Sequence, residues 1–420
     1  MKYTERKTCR ISGEPLIELF SLGNHYVSNF VPIDYKENPE DRVPLTLCLA
    51  PKSRLVQLKH TVEPDSIYRK YWYHSGVNNT MKRELENIVE SIYNLNILNR
   101  RDIWIDIGAN DGSLLSNVRS EYITIAIEPA DCQEQLKQTA NYIVNDYFTK
   151  ELIQEILGRR KAKIITSIAM FYDLDNPKKF VSDIYDVLAE DGLWIIQMNY
   201  LPLMLQQLDF GGIVHEHLEY YSLSALKYLL NKHGFTIMDC LLNNTNGGSF
   251  RIYIQKSSYK HANFGIQSFK DVATFRVQSI LNYEDSLALT EISTYNIFFK
   301  QIQELKSQIT EFIKQEKNKG RSIIGYGSST KGNTILQFFE LDNTLIDAIT
   351  DRQEIKWGLK TISTNIPIIS DEEMRKIKPD YLLILPWQFI AEFKEREKEY
   401  LKNGGKFIVP CPKFEIIGDN

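Results

Sequence analysis

The sequence predicts an α/β protein with two doubly wound sheet units, a small loop-rich unit before them and a helical connector between them. Three observations predict this. Twice, at residues 103–115 and 322–333, a short β-branched run ends in a glycine turn and meets a helix-start pattern. Around those turns, β-rich runs alternate with segments of helical periodicity, the pattern of strand–helix–strand units. The 420-residue length leaves room for two or three domains.

Composition narrows the class. Hydrophobic residues at 43% and charged residues at 25% are those of a globular protein in water. A formal net charge of −4 implies no nucleic-acid partner. No run approaches the ~18 apolar residues of a membrane span, and the first residues, Met-Lys-Tyr-Thr-Glu-Arg-Lys, lack the apolar core of a signal peptide. The five cysteines, Cys9, Cys48, Cys132, Cys240 and Cys411, are scattered and odd in number, which fits a reducing cytoplasm. The expectation is a cytoplasmic protein with no membrane partner, a monomer or a dimer.

Residues 1–65 read as loop-rich, with short β pieces such as 55–58. Cys9 with Ser12, and Cys48 with Pro51, resemble the two halves of a zinc knuckle whose second ligands are missing. A structural zinc takes four nitrogen or sulfur ligands. A degenerate, zinc-ribbon-like domain without metal, held by packing near Cys9 and Cys48, is expected.

Residues 66–262 form the second predicted domain. Its first stretch is dense in phenols and amides, among them Tyr68, Tyr71, Tyr73, His74, Ser75 and Asn78. Such a loop suits a sugar and equally suits interface packing by amphipathic rings. A helix follows, with Met81, Leu85, Ile88, Ile92 and Leu95 on one face. The strand at 103–107 runs into Asp-Ile-Gly-Ala-Asn-Asp-Gly at 106–112. Gly108 lets backbone approach a ligand where a Cβ would clash, and open α/β sheets bind ligands at the carboxyl ends of their strands. The pattern is not the dinucleotide G-x-G-x-x-G. A second strand, 123–127, ends in Glu128, placed to accept from ribose hydroxyls. Further strands are predicted at 163–168, 193–198, 236–241 and 250–254, and a helix at 223–233. Asp146 and Tyr147 fall at a later strand end.

His215, Glu216 and His217 follow the fifth strand. His-x-His reads as a metal pair or as a base with positioning neighbours. No third metal ligand stands near in sequence, and an imidazole pKa of ~6.5 suits proton abstraction near neutral pH.

Residues 263–420 form the third predicted domain. Its first part, to about 318, is helical, with Phe298, Ile302, Leu305, Ile309 and Phe312 repeating at 3–4 spacing. The second glycine turn carries Gly325, Gly327 and Lys331 and offers backbone N–H groups to a phosphate. The alternative is that this turn is only structural, since a lone Gly-x-Gly is a weak signal. Strands are predicted at 345–350 and 381–385.

The first glycine loop with Glu128 looks like the S-adenosylmethionine site of class I methyltransferases. Taken whole, the chain resembles the NDP-sugar C-methyltransferases that make branched-chain deoxysugars. The resemblance rests on Cys9, Cys48 and Leu-Val-Gln-Leu at 55–58; on Tyr-Trp-Tyr-His-Ser-Gly-Val-Asn at 71–78 with Met81; on the 106–112 loop and Ile-Glu-Pro-Ala at 127–130. It continues through His-Glu-His at 215–217 with Tyr220, Tyr221 and Ser222, Asn-Gly-Gly-Ser-Phe-Arg at 246–251, the turn with Gly325, Gly327, Lys331 and Gly332, and Leu-Pro-Trp at 385–387.

The resemblance implies a zinc-ribbon-like domain, a central class I Rossmann-like methyltransferase domain and a C-terminal Rossmann-like α/β domain that helps bind nucleotide-sugar. It implies C-methylation of a nucleoside-diphosphate 4-keto-6-deoxyhexose at C3, through an enolate made by a base. His217 matches that base, with Glu216 and His215 beside it. Asp106, Gly108, Asn110, Asp111, Glu128, Asp146 and Tyr147 are expected around S-adenosylmethionine. Tyr71, Tyr73, Asn78, Tyr172, Asn246, Arg251, Gly327 and Lys331 are expected around the substrate. The sequence departs from the family at Ser12 and Pro51, at Val214 where many members have tyrosine, and at Tyr172 where some carry histidine. Two other readings remain at this point: a sugar O-methyltransferase, and a non-catalytic nucleotide-sugar-binding partner. A dehydrogenase is disfavoured, since neither glycine turn has the full dinucleotide spacing.

Overall fold

A computed structural model of the chain describes residues 1–69, 72, 76, 79–259 and 267–418, the side chains of 267–269 excepted. The central sheet has seven strands: β1 (Ile103–Ile107), β2 (Ile123–Ile127), β3 (Tyr142–Val144), β4 (Ala162–Ile168), β5 (Leu188–Asn199), β6 (Phe235–Asn243) and β7 (Ser249–Lys256). Their order is β3-β2-β1-β4-β5-β7-β6, with β7 antiparallel to both neighbours and the others parallel. The order reverses at β1, so a ligand crevice opens at the carboxyl ends of β1 and β4. All five residues of β1 are buried, as a strand covered on both faces requires.

One expected feature is different. The helix start after β1 is only a 3-10 turn, Leu115–Asn117. Ser116, Asn117, Val118 and Ser120 are weak helix formers. The Asn117 side chain also donates to the Ser113 carbonyl at 2.9 Å, a local bond that competes with a helix.

The C-terminal sheet contains β8 (Ile323–Tyr326), β9 (Ala348–Thr350), β10 (Ile368–Ile369), β11 (Tyr381–Ile384), β12 (Lys406–Val409) and β13 (Glu415–Ile417). The order is β10-β9-β8-β11-β12-β13, and only β13 is antiparallel. After β8, Ser329 caps helix Thr330–Phe339 by accepting from the Gly332 N–H at 3.0 Å. The connector is two helices, Gln267–Ser286 and Ile292–Asn318. The second buries Tyr295, Phe298, Ile302, Leu305, Ile309 and Ile313 in one core with the C-terminal sheet and with Phe20 and Leu47 of the N-terminal unit.

The N-terminal sheet is antiparallel and takes its fourth strand from elsewhere. Its order is Glu219–Tyr220, Leu55–Leu58, Val43–Ala50, Ile17–His25. The first of these belongs to the segment after β5. Phe30–Pro32 in turn pairs with Leu359–Thr361 beyond β9. The loop carrying residues 215–217 is therefore held by the N-terminal sheet on one side.

In the knuckle-like turn, the residue that meets the Cys9 sulfur is Ser53, at 3.3 Å, not Cys48 or Pro51. Cys48 sits on its strand opposite Gln57. Ser12 donates to the Glu14 carboxylate at 2.8 Å, and that carboxylate accepts from the backbone N–H groups of Lys52 and Ser53 at 3.0 and 2.9 Å. Hydrogen bonds thus hold the turn. Among the described residues no group of three or more His, Cys, Asp or Glu can hold a metal ion. No helix among them is long and apolar enough to cross a membrane.

Candidate active site

The loop after β1 packs closely on Met170 at Gly108. Gly108 has φ +74°, and a Cβ there would stand 3.0 Å from Met170 Cγ. Asn110 is also left-handed, at φ +51°, a conformation Asn tolerates better than most residues. The Asn110 and Ala130 N–H groups donate to the two oxygens of Glu128 at 2.7 and 2.8 Å. Glu128 therefore ties the glycine loop to the end of β2. Asp106, at the end of β1, accepts from the Thr166 hydroxyl at 2.6 Å. Burial, with the Glu128 charge adding to it, pushes the Asp106 carboxyl up to about 7. Asp111 accepts from the Gly76 N–H at 2.7 Å and from Ser113 Oγ at 2.6 Å. Asp146 and Tyr147 follow β3 nearer solvent. Arg69 pairs with Asp146 at 3.5 Å and lies over the Tyr147 ring at 5.5 Å, while Tyr147 donates to Asp65 at 3.0 Å.

The three residues at 215–217 have different surroundings. His215 is buried and its Nε2–H donates to the Val43 carbonyl at 3.0 Å; burial holds its pKa down at about 4. Glu216 is buried with Oε2 unpartnered, and burial pushes its carboxyl up to about 7. Tyr68 donates to the Glu216 carbonyl at 2.9 Å. His217 donates from Nδ1 to the Gly212 carbonyl at 3.0 Å, which leaves the lone pair on Nε2. Its ring lies 4.3 Å from that of Tyr172. His217 lines a cavity of about 10 Å³ with Tyr172, Asn199, Met204 and Tyr220, room for about one water. His215 and Glu216 do not line it. Enclosure and, secondly, the charge of Lys331 hold the His217 pKa at about 3, so the imidazole is neutral and an acceptor at physiological pH.

The C-terminal unit reaches this site through Lys331, whose Nζ lies 2.8 Å from Asp209 Oδ2 and 3.2 Å from the Asn246 carbonyl. Asn199 donates to the same carbonyl at 3.2 Å. Gly327, φ +85°, ends β8 against Pro386; a Cβ there would stand 2.7 Å from Pro386 Cγ. Arg251 is not brought to the cavity. Its guanidinium meets Glu84 at 2.6 Å, Asn87 at 3.0 Å and Gln197 at 2.8 Å, against helix Asn79–Tyr93. Tyr71, Tyr73 and Asn78 lie outside the described residues. Sequence reasoning missed Asn199, Asp209 and the buried Asp173, whose carboxyl is raised by burial and by the nearby Glu216 and Glu219. No local pattern marks them; each matters only through long-range neighbours.

Three family models match the chain in order. They are described as "Putative zinc binding domain" over residues 9–68, "Methyltransferase domain" over 77–239 and "C-methyltransferase C-terminal domain" over 244–412. C-methyltransferase NovU of Streptomyces niveus is 27% identical over 417 residues, covering 97% of this chain and 96% of that one. The order of these domains and the match along almost the whole chain support a C-methyltransferase. It is an enzyme that uses S-adenosylmethionine, which sets aside the O-methylating and non-catalytic readings. In this C-methyltransferase the residues expected around the cofactor lie together: Gly108 and Asn110 on the loop after β1, and Glu128 bonded to that loop. Its knuckle-like turn does not supply a zinc ligand set, since Ser12 and Ser53 stand with Cys9 there.

Solved structures are similar to this C-methyltransferase at low levels. Magnesium protoporphyrin IX methyltransferase from Synechocystis PCC 6803 with bound SAH is 12% identical, with a TM-score of 0.33 over 43% of this chain and 88% of that one. The 1,6-didemethyltoxoflavin-N1-methyltransferase of Burkholderia thailandensis is 14% identical, with a TM-score of 0.35 over 56% and 100%. Scores of this size add nothing about substrate.

Proposed function

We propose that this C-methyltransferase methylates carbon next to a ketone, in a 4-keto-6-deoxyhexose carried on a nucleoside diphosphate, and that the carbon is C3. The observation that carries the reading is the setting of His217: held by Gly212 through Nδ1, with Nε2 left to accept, and lining a cavity with Tyr172, Asn199 and Tyr220. A carbon–hydrogen bond is acidic enough for such a base only beside a carbonyl. His217 Nε2 takes the proton, and the electron pair moves onto the ketone oxygen as an enolate. Tyr172 and Tyr220 line the same cavity, and in this reading their phenols donate to that oxygen. S-adenosylmethionine supplies the methyl group as an electrophile.

The sugar, its attachment to a nucleoside diphosphate and the C3 position are supported by the resemblance of the whole chain to sugar C-methyltransferases. A mass-spectrometric screen of nucleoside-diphosphate 4-keto sugars with the enzyme and S-adenosylmethionine tests it. One substrate should gain one methyl, and NMR of the product should place that methyl on carbon. No gain with any such sugar would sink the reading.

A further inference from the structure

Arg10 lies in the knuckle-like turn, between Cys9 and Ser12, and its side chain is fully buried. A buried guanidinium stays charged and is tolerated only where partners surround it. Within the N-terminal unit, Arg10 donates to the Leu58 carbonyl at 2.9 Å and to Thr61 Oγ1 at 2.6 Å. From the methyltransferase unit, Asp175 brings Oδ1 to 3.6 Å from Arg10 Nε, and Arg6 pairs with the same carboxylate at 2.7 Å. The third partner is Glu219, buried on the two-residue strand that completes the N-terminal sheet. Burial pushes the Glu219 carboxyl up, and the charge of Arg10 is the strongest influence against that. Tyr221 donates to Glu219 Oε2 at 3.0 Å.

These contacts converge on His217, which is attached to the N-terminal sheet on both sides. On one side, His215 donates to the Val43 carbonyl. On the other, the Leu218 carbonyl accepts from the Leu58 N–H at 2.9 Å, and Glu219 stands opposite Gln57 on the ladder. Gln57 Oε1 in turn accepts from the Arg10 N–H at 3.0 Å. Arg10 therefore grips Leu58 and Gln57, the two residues that hold Leu218 and Glu219 directly after the base. The Leu218 N–H donates to the Tyr172 carbonyl at 2.9 Å, and the Tyr172 ring lies against His217. Glu219 and Tyr220 line the same cavity as His217.

We infer that Arg10 is a positioning residue for His217: through Leu58, Gln57 and Glu219 it fixes the strand that follows the base, and so sets where Nε2 points in the cavity. The N-terminal unit thereby acts on the reaction by geometry. A base misplaced by about 1 Å loses on the order of 10²-fold in rate. The inference rests on the reading of His217 as the base.

The test compares the full chain with two variants, Arg10→Lys and Arg10→Met/Glu219→Gln, the second of which leaves Glu219 no charge to strand. NMR of isotope-labelled histidine, with His217→Asn assigning the signal, reports which ring nitrogen of His217 carries the proton. Methyl transfer from S-adenosylmethionine to the keto sugar reports kcat and KM. Wild type should show one His217 tautomer, with the proton on Nδ1. The double variant should show mixed tautomers and a kcat lower by about 10²-fold, with KM and S-adenosylmethionine affinity little changed. Arg10→Lys keeps the charge without the guanidinium fork and should recover part of kcat. A folded double variant with the wild-type kcat, or with the wild-type His217 signal, overturns the role. Failure of both variants to fold also overturns it, because Arg10 then serves stability alone. If the His217 signal shifts in the double variant while His217→Asn methylates at the normal rate, the base reading falls and the positioning stands. If wild type methylates no keto sugar, the substrate reading falls, and the His217 signal alone supports or overturns the positioning.

Discussion

Lys331 of the C-terminal unit and Asp209 of the methyltransferase unit form an ion pair at 2.8 Å, both side chains largely out of water. Asp209 precedes the Phe210–Gly212 turn whose last carbonyl holds His217. The pair therefore fixes the base from the far side of a domain boundary. Removing one partner of a buried pair strands the other charge, at a cost of ~3–5 kcal/mol. Lys331→Met should lose about that much in urea unfolding, and Asp209→Asn/Lys331→Met should recover part of it. A Lys331→Met variant as stable as wild type would show that the pair is solvated in the working enzyme.

His217→Asn should bind S-adenosylmethionine normally and methylate about 10²–10⁴-fold more slowly, the usual loss for a general base. Asparagine keeps a polar group at the cavity and cannot accept the proton. The expected contrast is with His215→Asn, where the damage is to the bond with Val43 and so to stability. Normal turnover in His217→Asn, with loss in Glu216→Gln, would move the base to Glu216.

Glu128→Ala should weaken S-adenosylmethionine binding by ~1–3 kcal/mol in calorimetry. Part of that loss comes from the loop, since Asn110 and Ala130 lose the acceptor of their N–H groups. Glu128→Gln, which retains one acceptor oxygen, should fall between. Unchanged affinity in both would place the cofactor elsewhere.

Glu216 makes stability depend on pH. Its carboxyl rises from 4.5 to about 7 on folding, so between those values the folded chain holds more protons than the unfolded one. Its contribution is present below about pH 4.5 and is lost as pH rises toward 7, by up to ~3 kcal/mol. His215, lowered from 6.5 to about 4, works in the opposite direction over an overlapping range. Glu216→Gln should therefore gain stability over wild type at pH 8 relative to pH 5. Parallel melting curves across that range would show that Glu216 is ionised in the folded protein.

Elemental analysis of the purified chain should find no stoichiometric zinc. One thiol, Cys9, stands among hydroxyls in the knuckle-like turn, which falls short of a tetrahedral site. One bound zinc per chain would require ligands from outside that turn.

What could be read locally was legible in the sequence. The strand with Asp106, the turn at Gly108 and the acid at Glu128 lie within one strand–turn–strand unit, and their chemistry follows from neighbours a few residues away. The family resemblance named His217, while spacing alone treated His215, Glu216 and His217 alike. The tertiary structure separated them, because Val43 takes His215 and Gly212 takes His217. It also showed that Glu219–Tyr220 completes the N-terminal sheet, that Ser53 meets Cys9, and that Arg251 is taken up by Glu84. In the second glycine turn Asp351 accepts from the Ser328 N–H. Each of these depends on side chains brought together from distant segments. Periodicity and turn chemistry act over a few residues and specify the elements; burial, charge and hydrogen-bond partnership are set by whatever the folded chain places alongside.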